Sequence, residues 1–513
     1  MGHPQLSCNY SNAPLGASLA LAVAACVSAA AFGQSTIFQE DSSLKPTIAP
    51  KSGKGARKNS SADTGGPPPG YGAGETGFVS TNPTTKRAKA PVKSEPLALS
   101  PSAAAKLAAR VRRPNQGEDI TGSVRRLPPH RPVEEEDSYL PVGVRVGSFD
   151  VKANAEFFGG YDDNPFRTAN GPGSRFTTLA GKVETKSNWS RHELASELRG
   201  SFTDYLQVSG NDRPEAEAKL RGRIDVTAVS RIELEGRALL TTEPAGTPDA
   251  VTTAVRPPNV YTFGGNAGYI HRFNRVEMAL RGVVERNVYQ DAQLVSGGVQ
   301  DLSDRDYVMY GATLRGSYEM TPGIKPFLEA SIDRRVYDLP VDFTGVARGS
   351  DGWRARAGVE FARLGWLTGE ASAGYAHRHY RDASLDDVSG LIVDASLVWR
   401  ATPLTTVTLR ANSEIGETTL TGASAVFVRQ ASIAVDHAFR RWLIGTVSAI
   451  YGTEDYEGAG RTDDRIGVVA ALTYRFNRYT SLRGEVRREQ LRSNVAGNDY
   501  TANIAMVGLR FQR

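Results

Sequence analysis

Arginine and glutamate recur at every second position over long stretches of the chain. Glu215, Glu217, Lys219, Arg221, Arg223 and Asp225 alternate with Ala216, Ala218, Leu220, Gly222, Ile224 and Val226. After a short break the pattern resumes, with Arg231, Glu233, Glu235 and Arg237 set against Ile232, Leu234, Gly236 and Ala238. Arg281, Arg315, Arg356, Arg410, Arg483 and Arg487 repeat it further on, with Glu277, Glu285 and Glu485 similarly placed. In an extended strand successive side chains point to opposite faces, so one face is ionic and the other small and apolar. Guanidinium and carboxylate groups facing one another can line a hydrated path. They can equally serve only to solvate an interior and cross-link its strands.

Other chemistry is sparse. His377 and His379 share a strand face near Arg381 and Asp382, and two polar histidines facing a lumen are expected there rather than a metal site. Asp162, Asp163 and Asn164 offer oxygen ligands of the kind calcium takes, but an Asx turn bonding its own backbone is the commoner use of such residues. No serine, histidine and acid constellation stands out, and no glycine loop precedes a long helix, so neither catalysis nor a cofactor is expected. Cys8 and Cys26 are the only cysteines. A disulfide scaffold and a thiolate metal site are thereby excluded from the rest of the chain.

The elements that must position these charges are strands. Eighteen are expected, at approximately 144–161, 175–188, 192–206, 215–228, 231–241, 260–273, 275–289, 307–320, 324–337, 353–363, 366–380, 390–400, 405–416, 426–438, 442–456, 464–476, 479–492 and 499–511. Their links alternate. Short ones such as Asn274, Leu364-Gly365 and Asn477-Arg478 follow the even strands, and mostly long polar ones follow the odd strands. That phase marks an all-β, up-and-down antiparallel transmembrane β-barrel of about 18 strands, with short periplasmic turns and long outer loops. Both chain ends then lie on the periplasmic side. Aromatics are expected to form belts at the two rims. Beside the short turns stand Phe273, Tyr318, Trp366, Trp399, Phe439, Trp442, Phe476 and Tyr479. Beside the long loops stand Tyr161, Tyr205, Tyr261, Tyr289, Tyr307, Tyr337, Trp353, Tyr380, Tyr456 and Tyr500.

The remainder divides into two segments. Residues 1–33 read as a signal peptide, apolar from Leu15 to Ala31 and ending in small residues. A lipobox-like Val23-Ala24-Ala25-Cys26 offers a lipoprotein alternative, which the apolar run continuing to Phe32 argues against. Residues 34–142 hold 14 of the 27 prolines and the whole net charge of +5. They form a Pro-rich disordered periplasmic segment, with one short helix expected over Pro101–Arg113. From residue 143 onward basic and acidic residues balance, so the basic pI is no evidence for nucleic-acid binding.

Gly160-Tyr161-Asp162-Asp163-Asn164-Pro165-Phe166-Arg167 follows the first expected strand. It resembles the Tyr-Asp-Asp-Asn segment of the outer-membrane β-barrel porin family of Gram-negative bacteria, over about residues 144–513. The resemblance implies an outer-membrane, porin-like barrel with no catalytic residues, in some members linked to surface polysaccharide. The expected function is passive passage of small hydrophilic solutes. The alternative is a non-conducting structural or assembly barrel whose tail binds periplasmic partners. Selectivity would come from the inward charges and from a long loop folded into the lumen, Asp291–Asp306 being the candidate. The expected partners are outer-membrane lipid, the barrel-assembly machinery and a periplasmic or cell-wall component reached through residues 34–142. The oligomeric state is not readable. Phe511 is followed by Gln512 and Arg513, a departure from barrels whose terminal assembly signal ends on the aromatic.

Overall fold

The computed structural model describes residues 139–513, Ser209 excepted. The signal peptide, the lipobox and the expected helix at 101–113 lie outside the described residues. In chain order the strands are β1 (Val144–Val146), β2 (Phe149–Asp162), β3 (Ser174–Ser187), β4 (His192–Tyr205), β5 (Arg213–Asp225), β6 (Ser230–Thr242) and β7 (Asn259–Phe273). Then come β8 (Val276–Tyr289), β9 (Ala292–Leu294), β10 (Gly298–Gln300), β11 (Tyr307–Tyr318), β12 (Ile324–Tyr337), β13 (Ser350–Leu364) and β14 (Leu367–Tyr380). The last are β15 (Val388–Thr402), β16 (Thr405–Gly416), β17 (Ala425–Arg440), β18 (Leu443–Glu457), β19 (Arg461–Arg475), β20 (Thr480–Ser493) and β21 (Tyr500–Gln512). One 3-10 turn spans Ser303–Arg305.

Eighteen of these strands, all but β1, β9 and β10, pair antiparallel with their neighbours in sequence, and β2 pairs with β21 to close the cylinder. Closure gives each of the eighteen strands a partner on both sides, the condition for a sheet to sit in hydrocarbon. No helix among the described residues is long and apolar enough to cross a membrane. Leu179, Phe202, Leu220, Leu280, Leu328 and Leu391 stand exposed on the outer face. The short turns are set by local chemistry. Asn274 takes a left-handed φ of 55°, which asparagine tolerates, and Asn477 Oδ1 accepts from the amides of Tyr479 and Thr480.

The first expected strand is interrupted. Residues 144–146 fold back at Gly147 and Ser148 and pair with the start of β2, because Gly147 adopts a φ of 58°. β1 thereby continues the row where β21 ends. Gln512 and Arg513 complete that row, Gln512 opposite Asn154 and the Arg513 amide donating to the Ala153 carbonyl at 2.9 Å.

Of the two aromatic belts, the one beside the short turns is outward: Phe273, Trp366, Phe439, Phe476 and Tyr479 are all exposed. At the other end only some rings face out, such as Tyr161 and Trp353. Tyr205, Tyr307, Tyr380, Tyr456 and Tyr500 are buried on the inner face. The reason is register, since these strands end on an inward position and the rings pack beneath the loops.

Candidate functional site: an ionic lumen closed at one end

The strand alternation carries all fourteen predicted lining residues to the inner face. Their strand neighbours Leu220, Leu234, Leu280, Leu314, Leu409 and Val486 are the exposed, outward ones. Glu217 is a hub, ion-paired with Arg199, with Lys219 at 3.0 Å and with Arg237 at 2.9 Å. Arg221 meets Glu235 at 3.6 Å, and Arg223 reaches Asp225 at 3.2 Å and Glu193 at 3.5 Å. Arg281 holds Glu233 at 3.4 Å and Arg231 holds Glu277 at 3.3 Å. Arg315 meets Glu370 at 2.9 Å, and Arg356 bridges Glu329 at 2.7 Å and Asp394 at 2.9 Å. Glu485 lies between Arg483 and Arg487, at 2.9 and 2.8 Å. Two residues differ from this scheme. Glu285 is buried and accepts from Asn287 at 3.4 Å, and the Arg410 Nε is buried without a hydrogen bond.

Exposure is graded along the axis. Toward the short-turn end the pairs are wet: the Arg221 side chain is 60% exposed and that of Arg223 44%. Each such pair is worth at most about 1 kcal/mol. A hollow of about 490 Å³ opens there, lined by Arg231, Arg272, Arg281, Glu277, Arg315 and Glu370 among others. Toward the long-loop end the ions are dry, with Arg378 and Arg348 each 5% exposed.

The closure at that end begins in the wall. β15 and β16 pair only from Ala395/Ala411 to Thr402/Thr405, although β16 continues to Gly416 and pairs fully with β17. Above Ala411 β16 parts from β15 and, with β17 still paired to β18 up to Ala425/Glu457, the β16–β17 hairpin curls into the lumen. Ile415, Ala425 and Phe427 pack on the inner face of β14 and β15, against Tyr380, Val388 and Ile392. Gly390 makes room for the Phe427 ring, since a Cβ there would stand 2.8 Å from it. At the parting point the Ser413 hydroxyl accepts from the Val393 amide at 3.1 Å and donates to the Val393 carbonyl at 3.2 Å.

The hairpin tip, residues 417–424, is gripped from across the lumen. Glu417 pairs with Arg335 of β12 and accepts from the Tyr337 hydroxyl at 2.8 Å. Arg348 donates to the Thr418 carbonyl at 2.7 Å. Asp249, in the loop between β6 and β7, accepts from the Thr418 hydroxyl and from the Thr419 amide and hydroxyl at 2.8–3.0 Å. The β6–β7 loop therefore crosses the mouth. The loop between β8 and β11, expected to fold inward, instead forms the β9–β10 hairpin and braces the crossing. Its Arg305 reaches Glu243 at 2.9 Å and the Asp249 carbonyl at 3.2 Å. Burial pushes the Glu243 carboxyl up to about 7 against the pull of Arg305. Asp342 goes the other way. Burial would raise it, but hydrogen bonds from Thr344, Val346 and Arg348 hold it at about 2.

The carboxylates of the Tyr-Asp-Asp-Asn turn are taken up by partners within the chain. The Asp162 carboxylate is fully buried and held by Arg167 Nη1 at 2.8 Å, the Asn164 amide at 2.9 Å and the Tyr205 hydroxyl at 3.2 Å. Asp163 accepts from the Asn503 amide and side chain of β21, both at 2.7 Å, and Asn164 donates to the Thr501 carbonyl at 3.1 Å. Arg167 also reaches Glu489 of β20 at 2.9 Å. The turn thus staples the first strand to the last two, while Tyr161 itself points outward and is exposed. His377 and His379 do not face the lumen. They share the outer face with Trp353 and Tyr375, and His379 pairs with Asp387 at 2.7 Å. No cluster of three metal-ligating side chains occurs among the described residues.

Asp249, Arg335, Arg348 and Glu417 were not singled out by sequence reasoning, and Tyr337 was expected only in a rim belt. They meet across the lumen from four separate stretches, and period-two spacing carries no information about contacts across a cylinder.

Among solved structures the chain is similar to the copper transporter OprC, at 12% identity and a TM-score of 0.40, over 72% of this chain and 82% of that one. It is also similar to opdK of Pseudomonas aeruginosa, at 14% and 0.36, over 71% and 99%. Acinetobacter baumannii OccAB4 gives 12% and 0.37, over 71% and 98%. No curated protein matches it. The family described as "Putative beta-barrel porin 2" matches residues 137–513, the whole of the described cylinder, and the chain belongs to that family of porin-like barrels.

Proposed function

We propose that the protein is an outer-membrane channel for passive passage of small hydrophilic solutes, whose outer mouth is closed by its own loops in the form described here. What carries the reading is the wall: eighteen closed strands, apolar outside, with paired charges of both signs inside. A cylinder of that strand number has room for water and small solutes, and pairs such as Arg221 and Glu235 keep its lower half hydrated. Residues 34–142 then occupy the periplasm, where they are free to meet a cell-wall or periplasmic component. Outer-membrane lipid and the barrel-assembly machinery are the other partners.

The test is single-channel recording in planar bilayers, on the full chain and on a form lacking residues 34–142. The expected result is ohmic current at least in the shortened form. A barrel that is folded by heat-modifiable gel mobility, yet carries no current in either form or after weakening of the mouth, overturns the reading. The crossing of the mouth by residues 243–258 and 417–424 favours one other reading, a non-conducting structural or assembly barrel acting through its tail. Recovery of a periplasmic partner on the isolated tail, together with silent bilayers, supports that alternative.

A further inference from the structure

We propose that residues 412–430, the top of the β16–β17 hairpin, form a flap with two seated positions: the inward one, and an outward one in which β16 completes its ladder with β15. The flap regulates the same lumen and rests on the channel reading only where current is the readout.

Four observations lead there. The first is register. Ala395 faces Ala411, Ser396 faces Arg410 and Leu397 faces Leu409. Continued upward, that series sets Asp394 against Asn412, Val393 against Ser413, Ile392 against Glu414 and Leu391 against Ile415. The chain for a longer ladder is present on both strands, in matching phase.

The second is the side-chain pattern. Leu391 and Val393 are exposed on the outer face. In the extended ladder Ile415 and its cross-strand neighbour Phe427 join them against lipid, and Glu414 turns to the lumen. Inward, the same two apolar residues are covered by Tyr380, Val388 and Ile392. Ile415 and Phe427 thus keep apolar surroundings in either position, and the outward one is set back only by the cover that Val388 and Ile392 lose on the lumen side.

The third is the parting point. Ser413 serves both the amide and the carbonyl of Val393 with one hydroxyl, in the place where a backbone pair would stand in the extended ladder. The Val393 groups are satisfied in either position, which removes the usual cost of opening a ladder.

The fourth is the set of contacts given up on moving. Glu417 leaves Arg335 and Tyr337, the Thr418 carbonyl leaves Arg348, and Thr418 and Thr419 leave Asp249. Against them stand the backbone bonds gained at Leu391/Ile415 and water for the released polar groups, while the Val393/Ser413 pair replaces bonds the Ser413 hydroxyl already makes and β17 keeps its ladder with β18. Polar bonds exchanged for polar bonds nearly cancel, the balance a two-state element requires. Swinging outward also removes residues 417–424 from the mouth.

The experiment uses the full chain with Cys8 and Cys26 replaced by serine, carrying Ile392→Cys and Glu414→Cys. These two positions form a non-hydrogen-bonded pair in the extended ladder, where cysteines are close enough to bond. Mild oxidation of the folded, heat-modifiable barrel is expected to form the disulfide, read by mass. Two further changes are each added to that background. Glu417→Gln weakens the inward grip, and Gly390→Val removes the space for Phe427. Each is expected to speed cross-linking on the order of tenfold, the size of losing a charge-assisted hydrogen bond or comparable packing. In bilayers, oxidation is expected to raise current and reduction to reverse it. No cross-link after prolonged oxidation of folded barrel overturns the flap, as does a cross-link whose rate neither change affects. A cross-link formed in a barrel that never conducts supports the flap and overturns the channel reading. Current without a cross-link does the reverse.

Discussion

Replacing Arg167 with methionine tests whether the turn after β2 is a staple. Arg167 is buried, and its charge is held by Asp162, which is wholly buried, and by Glu489, which is 15% exposed. Burial alone would lower its pKa, but these two carboxylates raise it above the ordinary arginine value, so it stays a cation. Methionine keeps much of the volume and removes the charge. Breaking a buried pair by deleting one partner costs about 3–5 kcal/mol, because the other charge is left uncompensated. The lower end applies, since Glu489 reaches water and Asp162 keeps its bonds from Asn164 and Tyr205. About 3 kcal/mol is more than a hundredfold in the folded-to-unfolded ratio. Unfolding in urea, followed in detergent by tryptophan fluorescence and heat-modifiable mobility, is expected to show a midpoint lower by about 1 M for a slope near 3 kcal/mol per M. Adding Asp162→Asn removes the stranded charge, and the double variant is expected to recover more than half of the loss. A single-variant loss below about 1 kcal/mol, or simple additivity of the two changes, refutes the staple.

Further outcomes are expected. Glu243 is protonated at pH values where it ionises once released, because its carboxyl is raised from 4.5 to about 7. The closed mouth therefore loses stability as pH rises from about 4.5 to about 7 and changes no further above that. Open probability in bilayers should rise over the same window, and Glu243→Gln should flatten the profile. Glu217→Gln leaves Arg199, Lys219 and Arg237 without their shared carboxylate, so reversal potentials in a salt gradient should move toward anion preference. Gly508→Leu puts a side chain where a Cβ already meets the Phe157 carbonyl at 2.5 Å and the Phe158 ring at 2.2 Å. It should block closure of β2 on β21, seen as loss of the heat-modifiable species.

The cylinder was legible because a membrane wall writes itself into local order. Strand and turn follow from neighbours two positions apart, and the expected strand number agrees with the structure. What failed was whatever depended on partners distant in sequence. Tyr380 and Tyr456 looked like belt residues because they end strands, but the side they end on depends on a single residue of register. His377 was assigned to the lumen for the same reason. The parting of β15 from β16 has one local sign, since Val388 and Ile392 put apolar side chains on the inner face beside the outward Leu391 and Val393. That run does not say what covers it, and only the packing of Phe427 over Gly390 discloses which side of the wall the hairpin takes.

The Gln512 side chain donates to the Tyr139 carbonyl at 3.1 Å, so the two ends of the described chain touch. A covalent join there, with a new break at a two-residue turn such as Gly365-Trp366, would alter connectivity and leave every strand with its present neighbours. The order in which strands leave the ribosome is then separable from the order in which they stand around the wall. Permuted chains offer a direct way to ask which of the two the insertion machinery reads.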